Sequence, residues 1–184
     1  FNYAWRGCSS LTSFPLLDTS SGTSFSNAWS GCSSLTSFPL LNTSSGTNFN
    51  QTWRDCTSLT SFPELNTSSG TNFTYAWRSC SSLTSFPSLN TSSGTSFSNA
   101  WQYCSSLATF PANMFNTTGT LSASAFTNAW TNCALTAQSI ENILVSLDTN
   151  GATGIRLGIT GTNNAHTSTW SAAANAAWLS LDAK

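Results

Sequence analysis

Residues 25–48 read FSNAWSGCSSLTSFPLLNTSSGTN, and closely similar stretches begin at residues 1, 49, 73 and 97. The step is 24 residues each time, and the apolar positions hardly change between copies. A strict period with fixed apolar positions predicts repeated units that stack and bury their apolar side chains against their neighbours. The fixed positions include the phenylalanines Phe1, Phe25, Phe49, Phe73 and Phe97, the tryptophans Trp5, Trp29, Trp53, Trp77 and Trp101, and the cysteines Cys8, Cys32, Cys56, Cys80 and Cys104.

The apolar spacing within one unit predicts three short elements. Phe25, Trp29 and Cys32 follow the spacing of one face of a short helix. Leu35 and Phe38 predict a short extended segment whose side chains point inward. Residues 42–46 read NTSSG, which is turn chemistry, and the glycine is expected to supply a positive φ. We therefore expect tryptophan and phenylalanine columns inside, with the hydroxyl residues on turns and outer faces.

These elements predict an α/β solenoid, a leucine-rich-repeat-like, right-handed coil stack of 24-residue units with a C-terminal helix-strand-helix cap. Five coils and a partial sixth are expected over residues 1–133, and a capping region over residues 134–184. In the cap, alternating apolar residues from Ile155 to Ile159 predict a strand between two helices. The first helix carries Ile140, Ile143, Leu144 and Leu147, and the second runs from Trp170 to Leu181 with Thr167 or Ser168 as its N-cap.

The composition argues against several classes of function. Only 6% of the residues are charged, with five Lys or Arg against six Asp or Glu and a single histidine, His166, in a polar loop. Clustered cations for nucleic acid are lacking, and the material for a catalytic constellation, a metal site or a cofactor is scarce. No stretch is apolar enough to predict a membrane span. A non-catalytic role in binding or scaffolding is therefore expected, without a cofactor.

The cysteines form one column because they share the 24-residue step. The first interpretation is that cysteine is a small apolar residue that fits the corner of each coil. Disulfides between neighbouring coils are the alternative, since stacked coils bring such residues within bonding range. A zinc site is not expected, because paired C-x-x-C clusters are absent from the sequence.

Two columns beside each tryptophan vary from unit to unit while the core positions stay fixed. Repeat proteins usually bind their ligands through residues that vary between repeats, while the core residues stay fixed. The alternative is that these are solvated positions free to drift. The candidate ligand-binding residues on the two columns are the arginines and tyrosines Tyr3, Arg6, Arg54, Tyr75, Arg78 and Tyr103, and we call this set the variable face.

A row of glycosylation motifs follows the same period. Asn42, Asn66 and Asn90 each begin an N-x-[ST] sequence, and the 24-residue step places them on one side of the stack. These asparagines would carry glycans if the protein is secreted by a eukaryote, and the motifs would be without meaning in a bacterial or phage protein.

The run AWSGCSSLTSFP at residues 28–39 resembles the leucine-rich repeats of BspA-type bacterial surface antigens, and similar repeats occur in phage tail-fibre and marine bacterial surface proteins. The resemblance covers residues 1–133 and implies an extracellular, cell-surface or virion location with a role in adhesion. We therefore expect a recognition module that binds a glycan or a surface protein receptor. The alternatives are a subunit of an extracellular filament or tail fibre that self-associates through the uncapped N-terminal coil and, third, an ice-binding surface of Ser and Thr columns.

Overall fold

The computed structural model describes residues 1–159, 164–165 and 170–182. The helices in this part of the chain are α1, Ala137–Asn150, and α2, Ala172–Asp182, and it contains no strands. Pairing between extended residues is limited to isolated parallel bridges such as Ser24 with Asn48. The predicted α/β solenoid of the leucine-rich-repeat type is therefore wrong, because each 24-residue unit consists of turns without a helix or a strand.

The predicted helix through Phe25, Trp29 and Cys32 is wrong, because alternate backbone amides donate to carbonyls of the next unit. Asn27 and Gly31 have left-handed φ angles of 56° and 77°. The Asn27 and Trp29 amides donate to the carbonyls of Asn50 and Thr52 in the next unit, both at 2.9 Å. The alternating amides of Ala28, Ser30 and Cys32 donate three residues back within the unit, at 3.0–3.3 Å. A helix would need consecutive amides to bond four residues back, so this segment is a series of linked turns.

The predicted strand at Leu35 and Phe38 is also wrong. Both side chains are buried as expected, but the backbone pairs with its neighbours too sparsely for a ladder. Thr36 donates to Thr12 of the preceding unit at 3.2 Å, and Pro39 has no amide hydrogen to donate. The segment therefore contributes apolar side chains to the core without forming a sheet.

The aromatic columns predicted from the period are present. The indole rings of neighbouring units stack with centroids 5.1–6.0 Å apart and planes within 11° of parallel. One phenylalanine column stacks beside them, and a second meets the indoles edge-on, as Phe62 meets Trp53 at 4.8 Å. The indole nitrogens of Trp29, Trp53, Trp77, Trp101 and Trp130 are buried with no hydrogen-bond partner among the described residues. Ring packing rather than polar contact therefore holds these side chains.

A column of threonines is buried, against the expectation that hydroxyl residues lie on turns and outer faces. Thr19, Thr43 and Thr67 are fully buried, and each hydroxyl donates at 2.7 Å to a backbone carbonyl of the following unit. A hydrogen bond from this hydroxyl to an otherwise unbonded carbonyl stabilises the stack, and it offsets the cost of burying the two polar groups. Threonine is therefore part of the interior of each unit.

The turn glycines have a steric role. Gly46 does not adopt the expected positive φ. A Cβ placed there would lie 2.6 Å from Cζ of Phe49 and 2.9 Å from Cε2 of Phe25. Glycine is required because the phenylalanine column passes directly over its Cα atom.

The C-terminal region contains the two predicted helices, but its predicted strand is wrong. Residues 155–159 are not a strand, although they continue the hydrogen bonding of the stack: Trp130 donates to the Gly158 carbonyl at 2.8 Å. A Cβ on Gly158 would overlap the backbone of Asn128, so this approach needs glycine. Helix α1 begins at the N-cap Thr136 and buries the four predicted apolar residues.

Polar side chains of α1 bond to the backbone of the fifth unit. Ser139 accepts from the Phe110 amide at 3.0 Å and donates to the Ala108 carbonyl at 2.8 Å. Asn142 and Asn150 donate to the carbonyls of Phe110 and Thr118, both at 2.8 Å. The helix thus supplies the hydrogen bonds that a further unit would make along this segment.

Helix α2 packs against α1. Ser171 caps it, with Oγ accepting from the Ala174 amide at 3.1 Å. The predicted caps Thr167 and Ser168, and the loop histidine His166, lie outside the described residues. Neither described helix is long and apolar enough to cross a membrane.

Candidate binding surface on the variable face

The tyrosines of the variable face lie on two columns of left-handed backbone, and its arginines directly precede residues of the second column. One column precedes each tryptophan by two residues, and the other follows it by two. Their φ angles lie between 54° and 77° in every unit. The first column contains Tyr3, Asn27, Gln51, Tyr75, Asn99 and Asn128, and the second contains Gly7, Gly31, Asp55, Ser79, Tyr103 and Asn132.

This backbone is costly for some of the side chains it carries. Glycine adopts it freely and asparagine tolerates it, whereas other residues pay about 1–2 kcal/mol. Tyr75, Ser79 and Tyr103 are such residues, with φ of 57°, 62° and 64°. Other units place Asn27 and Gly31 at equivalent positions, so the tyrosines and serine are not needed to form the turn.

Arg78 lies between two of the strained tyrosines. Its Cζ atom is 5.6 Å from the ring centroid of Tyr75 and 5.3 Å from that of Tyr103, both within cation–π range. Its Nε donates to Oε1 of Gln102 at 2.9 Å, and Gln102 is buried. The guanidinium is therefore held by groups from two adjacent units.

Arg54 lies one unit before Arg78 and has different partners. Its Nε is 3.1 Å from Oδ2 of Asp55, which is the only ion pair among the residues that the structure describes. Its Nη1 donates to Oε1 of Gln51 at 2.8 Å. The charge of Arg54 is thus compensated within its own unit.

The structure divides the six predicted residues into three groups. Arg78 contacts both Tyr75 and Tyr103, and Cζ of Arg6 lies 5.5 Å from the ring centroid of Tyr3. Arg54 forms a third group with Asp55 and Gln51. The candidate set left out Gln102, although its position 24 residues after Arg78 signals that the two share a column.

The six cysteines are free thiols in the structure, without the disulfides of the alternative interpretation. All but Cys8 are buried, and each buried Sγ donates to a tryptophan carbonyl of the preceding unit at 3.1–3.2 Å. Burial raises the pKa of Cys32 to about 11 and that of Cys104 to about 12. Such thiols are neutral and unreactive at ordinary pH, which fits a structural role.

The predicted glycosylation sites Asn42, Asn66 and Asn90 are exposed. The side-chain Oδ1 of Asn42 accepts from the backbone amide of Ser44 at 3.2 Å and from the Ser44 hydroxyl at 2.8 Å. Asp18 makes the same turn in the first unit, where the bonds from Ser20 lower the pKa of its carboxyl group. The side chains therefore shape the turn, and glycan attachment stays a prediction.

An open cavity of about 300 Å³ lies apart from the variable face, between residues 118–121 and 150–153. Its lining residues are uncharged. Within the described part of the chain, no group of three His, Cys, Asp or Glu side chains is placed to hold a metal ion.

Comparisons with protein-family models, with curated proteins and with solved structures find no match to this chain. The leucine-rich-repeat fold implied by the BspA-type resemblance is excluded by the turn-built units, and the surface location it implies stays a prediction. Self-association through the first unit and the filament role also stay predictions.

Proposed function

We propose that this chain is a non-catalytic recognition module that binds a glycan or a surface protein receptor through the variable face. The observation that carries the proposal is the strained tyrosine pair around Arg78. Strained backbone persists where the surrounding structure enforces it, and it concentrates at functional sites. Asn or Gly fills the equivalent position in several other units, as Asn27, Asn99 and Gly31 do, so the cost at Tyr75 and Tyr103 is not explained by the turns.

The chemistry of this face suits recognition. Tyrosine presents a ring that packs against a ligand and a hydroxyl group that hydrogen-bonds to it, and it loses little side-chain entropy on binding. Tyr3 and Tyr103 are 56% and 43% exposed, so both rings are accessible. Arginine adds a planar set of donors beside them. Tyr and Arg are also the residue types that dominate the energetics of protein interfaces.

We place the module at a cell surface or on a virion, outside the cytoplasm. An oxidising environment threatens exposed thiols most, because reactivity requires an accessible thiolate. Five of the six cysteines are buried, and burial raises the pKa of each of them. The free thiols are therefore compatible with this location.

A double variant tests the proposal. Replacing both Arg54 and Arg78 by alanine should reduce binding on a glycan array or attachment to cells, with the folded state checked by its melting transition. The matched control is Ser37→Ala with Ser61→Ala, which changes two exposed positions outside the variable face. If neither the parent chain nor the control binds any glycan or cell surface, or if the arginine variant binds as the parent does, the proposal is wrong.

A further inference from the structure

The variable face contains two arginines, Arg6 and Arg78, with no described carboxylate within 4 Å, and Arg78 is the one of the two that lies between two tyrosine rings. Arg54 has Asp55 at 3.1 Å, whereas no described carboxylate lies within 4 Å of Arg78. A cation held without a partner retains its full capacity to attract an anion. The chain as a whole carries a formal charge of −1, so Arg78 is a local exception.

The guanidinium of Arg78 is also fixed in orientation. Tyr75 and Tyr103 contact it from two adjacent units, and Gln102 accepts the hydrogen of Nε at 2.9 Å. The two terminal nitrogens donate to no described residue. Two parallel N–H groups on a planar, immobilised frame match the two oxygens of a carboxylate or sulfate group.

We propose that the Tyr75–Arg78–Tyr103 cluster binds the carboxylate or sulfate group of an anionic saccharide. This inference rests on the proposed function and names its ligand class. The anion pairs with the terminal nitrogens of Arg78, and the exposed ring of Tyr103 packs against the sugar ring. Hydroxyl groups of the saccharide find donors and acceptors in the adjacent Ser79 and in the tyrosine hydroxyls.

The surroundings of Arg78 favour a saccharide over an acidic peptide. A single uncompensated cation between two aromatic rings matches one charged group on a ring-shaped, otherwise neutral ligand. An acidic peptide with several carboxylates would call for a cluster of cations, and only five Lys or Arg residues are present in the chain.

The test compares sialyllactose and sulfated lactose with lactose itself by isothermal titration calorimetry. Both anionic sugars should bind roughly tenfold or more tightly than lactose, because a hydrogen bond to a charged group adds that much to affinity. Binding should weaken as salt rises. Tighter binding of sialyllactose alone would show that the ligand group is a carboxylate. Tighter binding of sulfated lactose alone would show that it is a sulfate.

Four variants, one of them a control, separate recognition from folding. Arg78→Gln should remove the preference for the anionic sugars, and Arg78→Lys should restore it only partly, since lysine lacks the planar pair of donors. Arg156→Gln is the matched control and should leave affinity within about twofold, because it removes the same charge from an exposed residue outside the variable face. Tyr75→Asn should weaken binding while the melting temperature is kept or raised, which a merely structural role would not produce.

The outcomes distinguish this inference from the proposed function. If lactose binds as well as its anionic derivatives and Arg78→Gln changes nothing, the anionic ligand is wrong and glycan recognition stands. Binding of an acidic peptide at Arg78 without any saccharide binding would overturn the saccharide assignment. If the chain binds neither saccharides nor cell surfaces, both the anionic ligand and the proposed function are wrong.

Discussion

At the residue scale, left-handed backbone decides which side chains the variable face accepts at low cost. Six of the twelve positions in the two left-handed columns are occupied by Asn27, Asn99, Asn128, Asn132, Gly7 and Gly31, which suit this conformation. Asparagine and glycine thus occupy half of the two columns, as a positive φ favours. Tyr3, Gln51, Tyr75, Ser79 and Tyr103 depart from that preference, and Arg78 contacts two of them, Tyr75 and Tyr103.

Replacing Ser79 by glycine tests the strain directly. Ser79 has φ 62°, and Gly31 adopts 77° at the equivalent position. The substitution relieves about 1–2 kcal/mol of backbone strain and adds about 0.5–1 kcal/mol of unfolded-state entropy. We expect a net stabilisation of about 0.5–1 kcal/mol, measured by denaturant unfolding.

The control for this experiment is Ser82→Gly, three residues further on. Ser82 does not have a positive φ, so glycine brings only the entropic cost there and should destabilise the chain by about 0.5–1 kcal/mol. Equal effects of the two substitutions would show that the left-handed conformation carries no strain at Ser79.

At the scale of the unit, the sequence predicts which side chains are buried but not the backbone that buries them. Trp53 and Leu59 are fully buried as the period requires, and α1 forms where Ile140 and Ile143 show helical spacing. The same spacing at Phe25 and Trp29 gives turns, because alternate amides bond to the next unit. Apolar periodicity indicates which residues face inward. It does not distinguish a helix from a series of turns, because both can bury the same residues.

The glycine of each unit offers a prediction at this scale. Gly46→Ala places a methyl group against Phe49 and Phe25, at 2.6 and 2.9 Å from their nearest ring atoms. Both rings belong to a stacked column and cannot shift freely, so overpacking should cost about 1–3 kcal/mol. Thermal unfolding of Gly46→Ala should show this loss, while Ser45→Ala, at the exposed neighbouring position, should unfold as the parent does. Unchanged stability in both variants would contradict the close packing of the column.

At the scale of the whole molecule, each unit depends on its neighbours for its hydrogen bonds. The hydroxyl of Thr43 and the thiol of Cys56 both bond to a carbonyl of an adjacent unit. The sequence shows the period of such contacts but not their partners, because buried and exposed threonines recur at the same 24-residue step. Interactions between neighbours of this kind make a stack unfold cooperatively.

The thiol column makes that cooperative unfolding dependent on pH. Burial raises the pKa of five thiols above the ordinary 9.0, to about 11 for Cys32 and about 12 for Cys104. The unfolded chain loses these protons first, so the stability contributed by the neutral thiols is complete below about pH 9 and is lost as pH rises toward 11 and 12.

Denaturant unfolding followed from neutral to alkaline pH should therefore show a falling free energy of unfolding above about pH 9. Each buried thiol contributes a slope of about 1.4 kcal/mol per pH unit once the unfolded chain is deprotonated. Cys104→Ala should make the decline shallower by one such increment, whereas Cys8→Ala, which removes the exposed thiol, should leave it unchanged. A decline of the same slope in both variants would mean that the buried thiols do not govern alkaline unfolding.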